Sequence, residues 1–306
     1  MIRKLAFILA VVLAMSLTAC GSISESEIQE PSNVTTGSDS TEVQQEETET
    51  VSTEESPVSD VTIDESVLVD ESGVKITAKS FDSEGVFGPE IKLLIENNSG
   101  QDLTFQCRNS SVNGYMVEPM MSVDVVNGKM ANDSITFMSS DLEMCGISDI
   151  ADMEFSFHIF NTESWEDYLD TGKVQLKTSI ADSFEYDYDD SGDVAYEGNG
   201  VKIVIKGLVS DDSLFGPGIV TYIENTGDKD ITVQTRDVSI NGFMIDGLFS
   251  CDVVAGKRSV DTITFLDSDL EENSITTIED VELSFHIFDS DSWDTVVDTE
   301  PIMIAF

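Results

Sequence analysis

Phe155-Ser156-Phe157-His158-Ile159-Phe160 alternates large apolar side chains with polar ones, and the same hexad returns as Leu283-Ser284-Phe285-His286-Ile287-Phe288. A period of two is that of a β-strand, whose successive side chains point to opposite faces. Phe155, Phe157 and Ile159 therefore share one face, and His158 and Phe160 share the other. The two hexads are 128 positions apart, with Leu283 standing where the first copy has Phe155. Phe87-Gly88-Pro89 and Phe215-Gly216-Pro217 keep that spacing, as do Asn113-Gly114 and Asn241-Gly242, and Trp165 and Trp293. Gly73-Val74-Lys75-Ile76 and Gly200-Val201-Lys202-Ile203 are 127 apart, which places a one-residue insertion in the loop before the second Phe-Gly-Pro. Solenoid repeats run to roughly 20 to 50 residues, so this period marks whole domains in tandem.

Each copy reads as short strands. Val74, Ile76 and Ala78 alternate with polar residues, and Ile91 to Ile95 follows a Gly-Pro break and ends at the turn-like Asn97-Asn98-Ser99-Gly100. Leu103-Thr104-Phe105 opens the next strand. Asn113-Gly114 is a hairpin signal, because both central residues of a type I′ turn need positive φ. Ser122–Val126, Ser134–Met138, Glu154–Phe160 and Val174–Lys177 complete the set. Ser140-Asp141-Leu142-Glu143 reads as one helical turn capped by Ser140 or Asp141. Seven or eight strands in about 115 residues predict an antiparallel sandwich.

Before these copies lies sequence of another kind. Arg3 and Lys4 precede an apolar run from Leu5 to Leu17, then Thr18-Ala19-Cys20-Gly21. The run is too short for a comfortable membrane span, and it resembles a bacterial lipoprotein signal peptide. The resemblance implies that the Cys20 thiol carries diacylglycerol and becomes the mature N-terminus, held at the extracytoplasmic face of the cell membrane. Two acyl chains suffice for stable anchoring where one does not. A conventional secretory signal cut near Ala19 is the alternative. From Gly21 to Asp64 there is no aromatic residue, and no Lys or Arg occurs between Lys4 and Lys75. Such a segment cannot repay its chain entropy, which predicts a disordered acidic tether.

The sequence thus divides into a signal peptide (1–20), a disordered tether (21–65), repeat 1 (66–180), an acidic linker (181–193) and repeat 2 (194–306). Gly-Val-Lys-Ile, Phe-Gly-Pro, Ile-Glu-Asn, Val-Asn-Gly-Tyr-Met and Phe-Ser-Phe-His-Ile-Phe resemble the immunoglobulin-like domains of unknown function in lipoproteins of Gram-positive, Firmicutes-type bacteria. That resemblance implies an all-β chain of two tandem immunoglobulin-like sandwiches, and no catalytic residue travels with it.

The formal charge of −45 excludes nucleic acid as a partner, since phosphate backbones are bound by Lys and Arg. Anionic lipid heads are repelled too, so the membrane contact expected is through the lipid on Cys20 alone. Cys107, Cys145 and Cys251 remain after Cys20. A Cys107–Cys145 bridge is one arrangement and free thiols are the other. Asp187, Asp189, Ser191 and Asp193 place oxygens at alternate positions with Gly192 for a turn, like the first half of a calcium loop. Position twelve is Gly198 rather than Glu, so the competing reading is a solvated linker with no cofactor.

His158 and His286 occupy equivalent strand positions. One histidine per copy is a poor basis for zinc, and the reading is a structural histidine bonded within its own domain. Arg108 and Arg236 neutralise neighbouring carboxylates or clamp a ligand carboxylate. Lys129 and Lys257 read as ordinary hairpin-loop cations. Trp165 and Trp293 either plug the ends of the sandwiches or stand exposed and stack on sugar rings. There is no Gly-x-Ser-x-Gly elbow, no His-Glu-x-x-His and no glycine-rich phosphate loop. The expected role is a non-enzymatic surface binding or spacer module for a cell-wall glycan or a surface protein. A calcium-stabilised envelope protein and a glycan-acting enzyme are the alternatives.

Overall fold

The computed structural model describes residues 61–209 and 216–306. The signal sequence, Cys20 and the tether up to residue 60 lie outside the described residues. The last residues assigned to the tether are built into repeat 1. Thr62 exchanges hydrogen bonds with Ser179, and Ile63 packs on the core.

Repeat 1 contains β1 (Ser66–Glu71), β2 (Val74–Asp82), β3 (Glu90–Asn97), β4 (Leu103–Val112), β5 (Tyr115–Met116), β6 (Pro119–Met120), β7 (Ser122–Val125), β8 (Lys129–Phe137), α1 (Ser139–Met144), β9 (Asp152–Asn161), β10 (Asp167–Asp170) and β11 (Val174–Lys177). One sheet has the order β1-β2-β3-β8-β6. In the other, β4 lies between β9 and the short pieces β5 and β7, and β10 and β11 both pair with β9. Every pairing within the repeat is antiparallel. Leaving aside β1, the order β2-β3-β8-β6 facing β4-β9-β10 is the ABED and CFG arrangement of an immunoglobulin-like sandwich.

Repeat 2 follows the same plan with β12 (Asp193–Gly198), β13 (Val201–Val209), β14 (Gly218–Asn225), β15 (Ile231–Ile240), β16 (Phe243–Met244), β17 (Gly247–Leu248), β18 (Ser250–Val253), β19 (Arg258–Phe265), α2 (Asp267–Glu272), β20 (Asp280–Asp289), β21 (Thr295–Asp298) and β22 (Ile302–Ala305). Each repeat encloses its own core. Phe155, Phe157 and Ile159 point into the first, and Leu283, Phe285 and Ile287 into the second, as their alternation requires.

Two repeated motifs explain themselves locally. Gly88 and Gly216 have φ of 142° and 130°, and a Cβ at either would collide with the carbonyl oxygen of Phe137 or Phe265. Asn113-Gly114 and Asn241-Gly242 adopt positive φ at both positions of the hairpin turn. The helical turn is present, but its N-cap is Met138 and no side chain caps it, so neither Ser140 nor Asp141 plays that part.

The linker is not simply solvated. Tyr188 meets Tyr115 edge-on at 5.5 Å, Tyr115 meets Tyr222 of repeat 2 at 6.4 Å, and the Arg258 guanidinium lies 3.7 Å from the Tyr188 ring centre. Arg258 also bonds Glu224 at 2.7 Å, and its backbone N–H donates to the Gly114 carbonyl at 3.0 Å. Lys257, read above as a loop cation, reaches across to Glu154 of repeat 1 at 3.3 Å. Val204, Tyr222 and Tyr115 form a small third apolar cluster at this joint.

Candidate functional site

The outward face of the β4–β9 sheet carries the same side chains in both repeats. On β4, Thr104, Gln106 and Arg108 point outward, because Leu103, Phe105 and Cys107 fill the core. The register sets Thr104 opposite Phe160, Gln106 opposite His158 and Arg108 opposite Ser156. In repeat 2 the register sets Thr232 opposite Phe288, Gln234 opposite His286 and Arg236 opposite Ser284. Two strands from each of two domains thus repeat one row of aromatic, imidazole, amide and guanidinium groups.

The tryptophans complete this row and do not plug the sandwiches. Trp165 is 73% exposed and Trp293 75%. Trp165 stacks on Phe160 at 5.4 Å and 17°, and Trp293 on Phe288 at 5.4 Å and 15°. His158 tilts against Phe160 at 5.3 Å, and His286 against Phe288 at 5.1 Å. One face of each indole is covered by phenylalanine, and the other faces solvent.

The loops that present the tryptophans are held by their first residue. Asn161 Oδ1 accepts the backbone N–H groups of Glu163 and Ser164, and Asp289 Oδ1 accepts those of Asp291 and Ser292. The backbone N–H groups of Trp165 and Trp293 donate to the carbonyls of Asn161 and Asp289, with φ of 61° and 64° at the tryptophans. A bulky residue in the left-handed region is uncommon and costly. Here it occurs twice.

Hydrogen bonds order the polar part of the face. His158 Nδ1 lies 2.6 Å from Asp170 Oδ1, and His286 Nδ1 lies 2.6 Å from Asp298 Oδ1, consistent with histidines bonded within their own domains. Nδ1 is thereby engaged by the carboxylate, and in repeat 1 Nε2 lies 3.7 Å from Asp167 Oδ1. Arg236 stands 3.8 Å from Asp298, whereas Arg108 donates to Gln106 Oε1 at 3.0 Å. Asp170 and Asp298 carry no motif in the sequence, since β10 and β21 are only four residues long. The alternation of β9 and β20 places His beside Phe, but the partner carboxylates follow only from the fold.

The calcium-loop residues are not brought together as a ligand set. Lys206 takes the Asp189 carboxylate at 2.8 Å and the backbone oxygens of Asp189 and Ser191, while Lys202 takes Asp190 at 2.6 Å. The Lys206 ammonium, hydrogen-bonded to Asp189, holds its carboxyl down at about 2. Among the described residues, no three His, Cys, Asp or Glu side chains form a group able to hold a metal ion. Cys107, Cys145 and Cys251 are free, so the bridge does not form. Cys107 is buried in the core of repeat 1, and Cys145 follows α1 at the joint with repeat 2.

No family model matches the sequence, and no curated protein matches it. Among solved structures, the YadV chaperone is similar at 10% identity over 71% of this chain and 92% of that chain, with a TM-score of 0.22. The Pseudomonas aeruginosa CupB2 chaperone is similar at 11% identity over 71% and 92%, with a TM-score of 0.17. Red sea bream transglutaminase is similar at 10% identity over 77% of this chain and 31% of that chain, with a TM-score of 0.19. At these scores the likenesses carry no argument about this chain.

Proposed function

We propose that this chain is a lipid-anchored extracytoplasmic protein that binds carbohydrate, without turning it over, on two equivalent sheet faces. The observation that supports the reading is the exposed indole beside a row of hydrogen-bonding groups, built twice. A pyranose ring has an apolar C–H face that fits a flat indole, and its hydroxyl groups need donors and acceptors at the rim. Trp165 supplies the platform, and His158, Gln106 and Arg108 the rim. Trp293, His286, Gln234 and Arg236 supply the same in repeat 2. Two modest sites on one chain gain avidity on a polymer that repeats its own units. Cys20 and the acidic tether would hold these faces off the membrane, within reach of the wall.

A pull-down from native envelopes tests the reading. The unaltered chain is expected to retain wall glycan, and Trp165→Ala with Trp293→Ala to lose it by at least tenfold while keeping a cooperative melt. Retention unchanged in the double variant would remove the indoles from the site. Cleavage of the retained polymer by the chain would replace binding with catalysis.

A further inference from the structure

Between the repeats lies a cleft of about 330 Å³ on which Glu118 and Asp141 of repeat 1 converge with Asp252 and Asp261 of repeat 2. No Lys or Arg lines it. Arg108 acts on Glu118 electrostatically without lining the cleft. Repeat 2 has the equivalent hollow, where Asp246 and Asp269 stand at the positions of Glu118 and Asp141. That hollow is lined by its own Arg236 and has no second domain over it. Both hollows therefore keep a carboxylate pair, and the covered one lacks the cation.

A second observation is independent of the charge. Ser110 lines the cleft and is 2% exposed, yet its hydroxyl has no hydrogen-bond partner. A buried polar group without a partner is costly and needs a reason. Repeat 2 places Val238 at this position, so the fold itself does not require a hydroxyl there.

We propose that this cleft binds an ammonium group carried on an aliphatic stem. The carboxylates neutralise the charge, the Ser110 hydroxyl accepts one N–H, and Met116 and Met144 line the path of the methylene groups. Burial, then the neighbouring charges of Asp141 and Asp252, raise the carboxyl of Glu118, and burial raises that of Asp261. A bound cation relieves this repulsion. The absence of any three-ligand metal group among the described residues favours an organic cation, whose N–H donors reach separated acceptors. A free polyamine and a lysine side chain of a partner protein present the same chemistry.

Calorimetric titration of the full chain in detergent with 1,5-diaminopentane, Nα-acetyl-lysine methylamide and calcium chloride tests this. One saturable ammonium site per chain is expected. Glu118→Gln with Asp141→Asn should weaken it at least tenfold, while Asp70→Asn with Glu71→Gln, which removes equal charge from β1, should leave it unchanged. Ser110→Ala should weaken binding several-fold without lowering the melting temperature. Binding of the diamine alone identifies a free polyamine, and comparable binding of the lysine derivative identifies a side chain. No saturable site for either, equal weakening in the β1 control, or calcium binding in their place would overturn the proposal.

Discussion

Trp165 and Trp293 hold φ near +60°, where an L-residue loses about 1–2 kcal/mol to the contact of Cβ with its own backbone. Glycine escapes that cost and alanine does not. Trp165→Gly should therefore be more stable than Trp165→Ala, by about 1 kcal/mol in urea unfolding, although both remove the stack on Phe160. The reverse order would show that the loop is unstrained. The strained backbone at both tryptophans is what the proposed binding role of the indoles would account for. The sequence marks these residues by repetition, and the strand period puts His158 beside Phe160. Exposure was not legible, because whether a loop tryptophan turns inward or outward depends on the sign of one backbone angle. The contact of Tyr188 with Arg258 was also hidden, since the two lie seventy positions apart.

At the scale of elements, the two tryptophan loops are alike in path but not in chemistry. Asn161 holds the β9–β10 loop with a neutral amide, while Asp289 holds the β20–β21 loop with a carboxylate. The Lys229 ammonium at 2.6 Å, aided by the Ser292 and Asp291 N–H groups, lowers the Asp289 carboxyl to about 2. A carboxyl depressed in the folded state stabilises it above the unfolded value, near 4, and that contribution fades as pH falls toward 2. The Trp293 indole signal should accordingly broaden or shift between about pH 4 and pH 2, while the Trp165 signal persists. Asp289→Asn should abolish the difference. Equal acid response in both loops would contradict this assignment. Most elements here were legible: the hairpin glycines, the Phe-Gly-Pro breaks and the long alternating strands. β1 and β10 were not, because both are edge strands, β10 of only four residues, and their pairing supplies an order that their composition does not announce.

For the whole molecule, the joint decides how two small faces act together. Arg258, Tyr188, Tyr115 and Tyr222 pack the repeats on one another, and β5 touches β19 in a single parallel bridge. A packed joint removes the entropy of a floppy linker, which under the proposed reading would raise the effective concentration of the second face on a polymer. The tandem plan was readable from the constant spacing of motifs, whereas the joint was not, because its residues differ between the repeats: Met130 stands where repeat 2 has Arg258, and Phe243 where repeat 1 has Tyr115. The charge of −45 disfavours polyanions as partners. The most direct measurement follows the indole N–H resonances of Trp165 and Trp293 while soluble wall-glycan fragments are titrated into the full chain. Both resonances are predicted to shift together and saturate; saturable binding that leaves both unmoved would contradict the account.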